Sequence, residues 1–103
     1  MNHKKREETI KAHLEVCQKI RAEKNIEYAN SNDDANACFN SDNDIGLTSI
    51  QSVGVFMNKH YRSIRSWIKT EEVFSDEQIE GRIYDLINYL LILLTLIEDK
   101  KQE

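Results

Sequence analysis

This chain contains almost none of the residues that interrupt helices. Its 103 residues include no proline and three glycines. Proline breaks a helix and glycine weakens one, whereas β-sandwiches and barrels need many turns rich in such residues. The sequence therefore predicts an all-α fold with no β-sheet, in which more than about 60% of the residues are helical.

Length and charge predict one small domain and restrict its partners. A chain of 103 residues is long enough for a single modest core, so we expect residues 1–103 to form one domain. The formal net charge is −4, and no clustered basic face is visible, which argues against nucleic acid as a partner. The longest apolar run, residues 89–97, would span about 14 Å as a helix, less than a bilayer core of about 30 Å. We therefore expect no membrane partner.

Cysteine usage indicates a reducing compartment. Cys17 and Cys38 are too few for a disulfide framework, and neither belongs to a CxxC motif. The basic residues at positions 4–6 are not followed by the apolar segment of a secretion signal. The sequence therefore predicts two reduced thiols in a cytoplasmic protein.

Three segments have the periodicity of amphipathic helices. The first covers residues 7–28, where Ile10, Leu14, Cys17 and Arg21 share one stripe and Lys24 lies beside it. The second covers residues 48–69 and begins with a capping box, and the third covers residues 75–99 and begins with another. Residues 29–46 are rich in Asn and Asp and predict a long, mostly irregular loop. The expected architecture is a small antiparallel bundle of about three main helices.

The last predicted helix is apolar on nearly all sides from Ile83 onward. Two further helices cannot cover such a surface, and a second copy of the chain is the simplest way to bury it. We therefore expect a homodimer. We expect some of the apolar residues of this helix to lie in the subunit interface, namely some of Leu90, Leu91, Leu94 and Ile97.

Asp85 and Asn88 interrupt this apolar helix three residues apart, on one face. A carboxylate in such surroundings is costly unless it is paired, hydrogen-bonded or bound to a metal. One interpretation is a buried network that fixes the helix register, with Arg62 or Lys59 of the middle helix as partner. The other is a site between helices that binds a cation or a polar ligand.

Three short segments resemble one protein family. Residues 76–79 (DEQI) and 84–89 (YDLINY) are similar to the pattern D-E-x-I-x-D-x-x-x-D-L-x-N-Y. Residues 24–28 (KNIEY) are similar to K-N-x-D-Y-G, and residues 58–62 (NKHYR) to D-K-x-x-R. These patterns occur in the nucleotide modification-associated, MazG-like group of phage and bacterial all-α NTP pyrophosphohydrolases, which the chain resembles over about residues 13–98.

The resemblance implies an antiparallel helical bundle completed by dimerisation. It also implies that clustered carboxylates bind Mg²⁺, which holds a nucleoside triphosphate for attack by water between the α and β phosphates. The matching residues would be Glu27, Glu77 and Asp85 as metal ligands, Lys59 and Arg62 against phosphate, and Asn88 and Tyr89 in the nucleotide pocket.

The chain also departs from the family pattern at three positions. Asn58 and Gly81 replace aspartates, and Ala29 replaces a glycine. The first two departures remove expected carboxylates, so the first hypothesis is an interaction or regulatory protein on a degenerate scaffold. A phage protein that binds a host defence protein would belong to this class. The second hypothesis is an active pyrophosphohydrolase that requires Mg²⁺. We assign no catalytic residue.

Overall fold

The computed structural model describes residues 1–29, 34–72 and 78–102. Of these residues 84% are helical and none lies in a β-strand. This confirms the all-α prediction. Within these ranges there are four α-helices, which are α1 (His3–Glu23), α2 (Asn25–Ala29), α3 (Ser49–Thr70) and α4 (Ile79–Lys101).

The observed helix boundaries agree with the prediction at the start of α3 and differ from it at two other places. Helix α3 starts as predicted, because Thr48 and Gln51 form both bonds of a capping box, of 2.9 and 3.1 Å. The first predicted helix is divided at Lys24, whose amide bonds back to Ile20 and Arg21 and closes the last turn of α1. The predicted start of the last helix near residue 75 is wrong, because Gln78 is extended (φ −67°, ψ 147°) immediately before α4. Residues 75–77 of that predicted capping box lie outside the described residues.

Consecutive long helices run antiparallel. His60 of α3 lies near Asp85 of α4, and Phe56, one turn earlier, lies near Tyr89, one turn later. The contacts of α1 advance along α4 in the same direction from His13–Tyr84 to Cys17–Asn88. At the end of α1, Lys24 contacts Asp85, one turn earlier on α4. Helix α4 therefore packs against both α1 and α3.

The Asn- and Asp-rich segment is more regular than predicted. Its described part contains two short 3₁₀ helices, Ala37–Asn40 and Asn43–Ile45. Asp34 accepts hydrogen bonds from the Asn36 amide at 2.9 Å and from the Asn40 side chain at 3.2 Å, which stabilises the turn before them. Phe39 is fully buried, so hydrophobic packing anchors the segment on the bundle.

The core is small for a chain of this length. Its buried centre contains Tyr28, Phe39, Val53 and Ile92. The chain exposes 7930 Å², about a third more than the roughly 6000 Å² expected for a compact monomer of this mass. The radius of gyration is 15.6 Å, compared with about 13 Å for a compact chain of this length. Several large apolar side chains are exposed, among them Ile10, Leu14, Leu90 and Leu94.

Candidate functional site

A buried amide joins α4 to α1. The side chain of Asn88 is fully buried, and its Oδ1 accepts a hydrogen bond of 2.9 Å from Nη1 of Arg21. Its Nδ2 donates a hydrogen bond of 3.1 Å to the backbone carbonyl of Cys17. Both ends of the amide are satisfied, as a buried polar group requires.

One turn earlier on α4, Asp85 forms an ion pair with the end of α1. Its Oδ1 lies 3.2 Å from Nζ of Lys24, and its Oδ2 lies 3.9 Å from Nδ1 of His60. The Asp85 side chain is 14% exposed and that of Lys24 is 35% exposed, so the pair is partly shielded from solvent. We call Arg21, Lys24, Asp85 and Asn88 the α1–α4 polar network.

The partner of Asp85 differs from the predicted one. We expected Arg62 or Lys59, but the ammonium group that contacts the carboxylate belongs to Lys24. The reason is the rotation of α3, which directs His60 toward α4. Arg62 is two residues further on, about 200° around the helix, and is exposed, as Lys59 is.

Tyr89 belongs to an aromatic cluster beside this network. Its ring centroid lies 5.7 Å from that of Phe56 and 5.4 Å from that of His60. Tyr28 is buried against Phe39, at a centroid distance of 6.1 Å. Burial raises the pKa of both tyrosines, and the nearby carboxylates of Asp85 and Glu27 raise it further. Both phenols therefore remain neutral near pH 7.

The structure places two of the three predicted metal ligands, Glu27 and Asp85. Asp85 is paired with Lys24, Glu27 is exposed on α2, and Glu77 lies outside the described residues. Among the residues that are described, no three His, Cys, Asp or Glu side chains are grouped as metal ligands would be. Mg²⁺ requires several oxygen ligands in near-octahedral geometry, so its binding by Glu27, Glu77 and Asp85 stays a prediction.

The residues that sequence reasoning missed are Arg21, Lys24 and His60. A usable signal was present, because Arg21 lies on the apolar stripe of α1 and Lys24 lies beside it. A cation on the apolar side of one helix is the natural partner of an acid or amide on the apolar side of another.

An open apolar groove lies next to the network. It has a volume of about 320 Å³ between α1 and α4, and its apolar lining includes Ile10, Leu14, Ile83 and Ile87. At its edge, Nδ1 of His13 and the hydroxyl of Tyr84 are 2.6 Å apart and hydrogen-bonded. Such a groove can accept an apolar ridge from another polypeptide.

Comparison of the chain with protein-family models, with curated proteins and with solved structures finds no match. The resemblance to the MazG-like group therefore depends on the three short segments alone. In residues 1–29, 34–72 and 78–102, no helix combines the length and apolar character needed to cross a membrane.

Proposed function

We propose that this chain is an interaction or regulatory protein on a scaffold that resembles the all-α NTP pyrophosphohydrolases, with a degenerate metal site. The observation that carries the proposal is the 3.2 Å contact between Asp85 and Lys24. A side-chain ammonium group supplies positive charge at the carboxylate where the family pattern would have Mg²⁺. A protein that used this carboxylate for a metal would first have to displace Lys24.

Asn88 supports the same proposal. The resemblance would place this amide in a nucleotide pocket, but its oxygen is engaged by Arg21 and its nitrogen by the Cys17 carbonyl. Exchanging these partners for a nucleotide would remove the hydrogen bond from Arg21 and the side-chain donor to the Cys17 carbonyl, and each such bond contributes about 0.5–1.5 kcal/mol. Asn58 and Gly81 remove two further carboxylates of the pattern. Asp85 and Asn88 of α4 therefore stabilise the packing of α4 against α1.

The exposed apolar surface supports a polypeptide partner. The chain exposes about a third more surface than a compact monomer of its mass. Its exposed apolar side chains include Ile10 and Leu14 on α1 and Leu90 and Leu94 on α4. Ile10 and Leu14 line one groove with Ile83 and Ile87 of α4, and exposed apolar grooves are typical of protein-binding sites. A phage protein that binds a host defence protein is one example of the proposed class. The same surface can also bind a second copy of the chain, which would form a homodimer.

An active pyrophosphohydrolase that uses Mg²⁺ is the alternative. Its support is that Glu77, Asp85, Lys59 and Arg62 of the family pattern are retained. Lys59 and Arg62 would face phosphate in that case, and Asn88 and Tyr89 would line the nucleotide pocket.

Pyrophosphate release distinguishes the two functions. Purified protein is incubated with each common nucleoside triphosphate and Mg²⁺ or Mn²⁺, and its melting temperature is measured with and without the same ligands. The proposal predicts no turnover and no rise in melting temperature that depends on metal and nucleotide together. Metal-dependent turnover that Asp85→Asn abolishes without loss of stability would instead establish the enzyme.

A further inference from the structure

Helix α3 carries basic side chains and no acidic ones. It contains no aspartate or glutamate, although the whole chain has 18 of them. Its lysines and arginines are all exposed and recur three, three and four residues apart. We call them the α3 basic row. Its members are Lys59, Arg62, Arg65 and Lys69.

The α3 basic row faces away from the core. Arg62, Arg65 and Lys69 are centred about 180° around the helix from the buried His60, and Lys59 lies at the edge of the row. From Lys59 to Lys69 the row is about 15 Å long. It therefore forms a narrow positive surface on the outside of the bundle.

Within residues 1–29, 34–72 and 78–102, no carboxylate forms an ion pair with this row. The ion pairs in these ranges join Arg6 to Glu7, and Lys24 and His60 to Asp85. Glu71 and Glu72 follow Lys69 only after α3 has ended. In the first turn of α4, Glu80 and Arg82 have opposite charges and contribute no net charge.

The spacing of the row places like charges side by side. Residues three or four apart are neighbours on a helix surface, so each member repels the next. Lys69 lies in the last turn of α3, where a cation interacts favourably with the helix dipole. Lys59 and Arg62 lie two to three turns earlier, beyond the reach of that effect. Local repulsion of this kind is typical of surfaces that serve a function rather than the fold.

Exposed apolar side chains lie beside the row. Tyr61 and Ile68 are one turn before and one turn after Arg65, and they are 53% and 67% exposed. Tyrosine and arginine are enriched among the residues that dominate the energy of protein interfaces. The surface therefore offers charge and apolar area to the same partner.

The charge of the rest of the chain disfavours nucleic acid as that partner. Outside α3 there are ten basic and 18 acidic side chains. A nucleic acid backbone would extend past a row of about 15 Å onto this acidic surface, which repels phosphate. A nucleoside triphosphate is bound best by groups that converge in a concave pocket, whereas the row lies along the convex side of a helix.

An acidic amphipathic helix matches the surface in both respects. Carboxylates spaced three or four residues apart on such a helix would lie opposite the basic row, and its apolar residues would contact Tyr61 and Ile68. We propose that the α3 basic row, with Tyr61 and Ile68, binds an acidic amphipathic helix of a partner polypeptide. The inference rests on the proposed function, because it names the class of partner that an interaction protein of this kind binds.

Fluorescence anisotropy with a synthetic peptide tests the surface. The probe is a labelled helical peptide of about 20 residues, long enough to form a helix, with glutamates three or four residues apart and leucines on the adjoining side. A second peptide has glutamine at each of these glutamates. The wild-type protein should bind the first peptide saturably at micromolar concentration and the second at least about 10-fold more weakly, because the charge is complementary. An absence of binding, or equal binding of both peptides, would overturn the inference.

Charge variants test the basic row. Arg62→Gln combined with Arg65→Gln should raise the dissociation constant for the acidic peptide at least about 10-fold, because two cations are lost. The matched control is Lys4→Gln combined with Lys11→Gln, which removes the same charge from exposed positions of α1. Its dissociation constant should stay within about 2-fold of wild type, since salt screens distant charges. Equal effects of the two double variants would show that net charge alone attracts the peptide, which contradicts the inference.

A pair of isoleucines tests the apolar part. Ile68→Ser should weaken binding by about 3-fold or more, because it removes apolar area beside Arg65. Ile26→Ser is the matched control, since Ile26 is also exposed, at 79%, but lies on α2. Equal effects would exclude Ile68 from the binding surface. DNA that binds more tightly than the peptide, and loses binding in the variant of Arg62 and Arg65, would assign the row to nucleic acid and overturn the inference.

The outcomes separate this inference from the proposed function. A protein that neither binds the peptide nor releases pyrophosphate contradicts the acidic partner and leaves an interaction protein that uses another surface, such as the groove between α1 and α4. A protein that binds the peptide through the row and also hydrolyses nucleotides contradicts the proposed function and leaves the binding surface.

Discussion

The side-chain amide of Asn88 bonds directly to the backbone of Cys17, 71 residues earlier in the chain, at 3.1 Å. The same amide accepts a hydrogen bond from Arg21, one turn further along α1. Because Asn88 is fully buried, a shift of α4 along α1 would break both bonds without replacement by water. This amide therefore fixes the register between the two helices.

Replacing Asn88 should destabilise the fold strongly. In Asn88→Ala, the Cys17 carbonyl loses its side-chain donor and the Arg21 guanidinium loses an acceptor. We expect the free energy of unfolding to fall by about 2–4 kcal/mol, measured by urea denaturation. The control is Asn36→Ala, which removes an exposed bond to Thr95 and should cost about 1 kcal/mol or less. Equal losses in the two variants would show that the burial of Asn88 is unimportant.

The ion pair between Lys24 and Asp85 should contribute to stability. Asp85→Asn, Lys24→Met and the double variant form a mutant cycle, and we expect a coupling energy of about 1 kcal/mol. Asp85→Asn should change stability or association more than any nucleotide chemistry, because its carboxylate serves the α1–α4 polar network. Added salt should reduce the coupling only modestly, since Asp85 is mostly buried. A coupling energy near zero would mean that the pair is energetically neutral.

The protein should lose stability at alkaline pH. Burial raises the pKa of Tyr28 and Tyr89, so the folded state keeps these phenolic protons at a pH where the unfolded chain loses them. The free energy of unfolding should therefore fall as the pH rises above about 10, by up to about 1.4 kcal/mol per pH unit for each tyrosine. Tyr28→Phe should flatten this dependence in denaturation measured from pH 8 to 11. Tyr61→Phe, at an exposed position, is the matched control. An unchanged slope in Tyr28→Phe would contradict the prediction.

The two thiols should differ in their accessibility. Burial raises the pKa of both Cys17 and Cys38, which lowers the thiolate fraction at pH 8. Cys38 is partly exposed and should react with iodoacetamide, though more slowly than a free cysteine. Cys17 is buried and should react only after unfolding. Mass spectrometry of peptides over a time course measures both rates, and rapid labelling of Cys17 in native protein would contradict the packing of α1 on α4.

Sequence reasoning identified the polar positions of the site but misassigned their partners. Asp85 and Asn88 stand out in the sequence because they interrupt an apolar helix. Their partners come from α1, which contributes Arg21 and Lys24, whereas we expected the middle helix to supply them. The roles of Glu27, Lys59 and Arg62 in metal or phosphate binding stay predictions.

The sequence by itself determined the features that depend on neighbouring residues. The scarcity of helix breakers and the apolar periodicity determined the all-α class, and the Thr48–Gln51 capping box determined where α3 begins. Only the tertiary structure decided that Lys24 contacts Asp85 and that Phe39 anchors its loop in the core. Helical pattern specifies which face of a helix is buried, because side-chain direction repeats with the backbone. It does not specify the rotation and register of one helix against another, which depend on how all their side chains pack together.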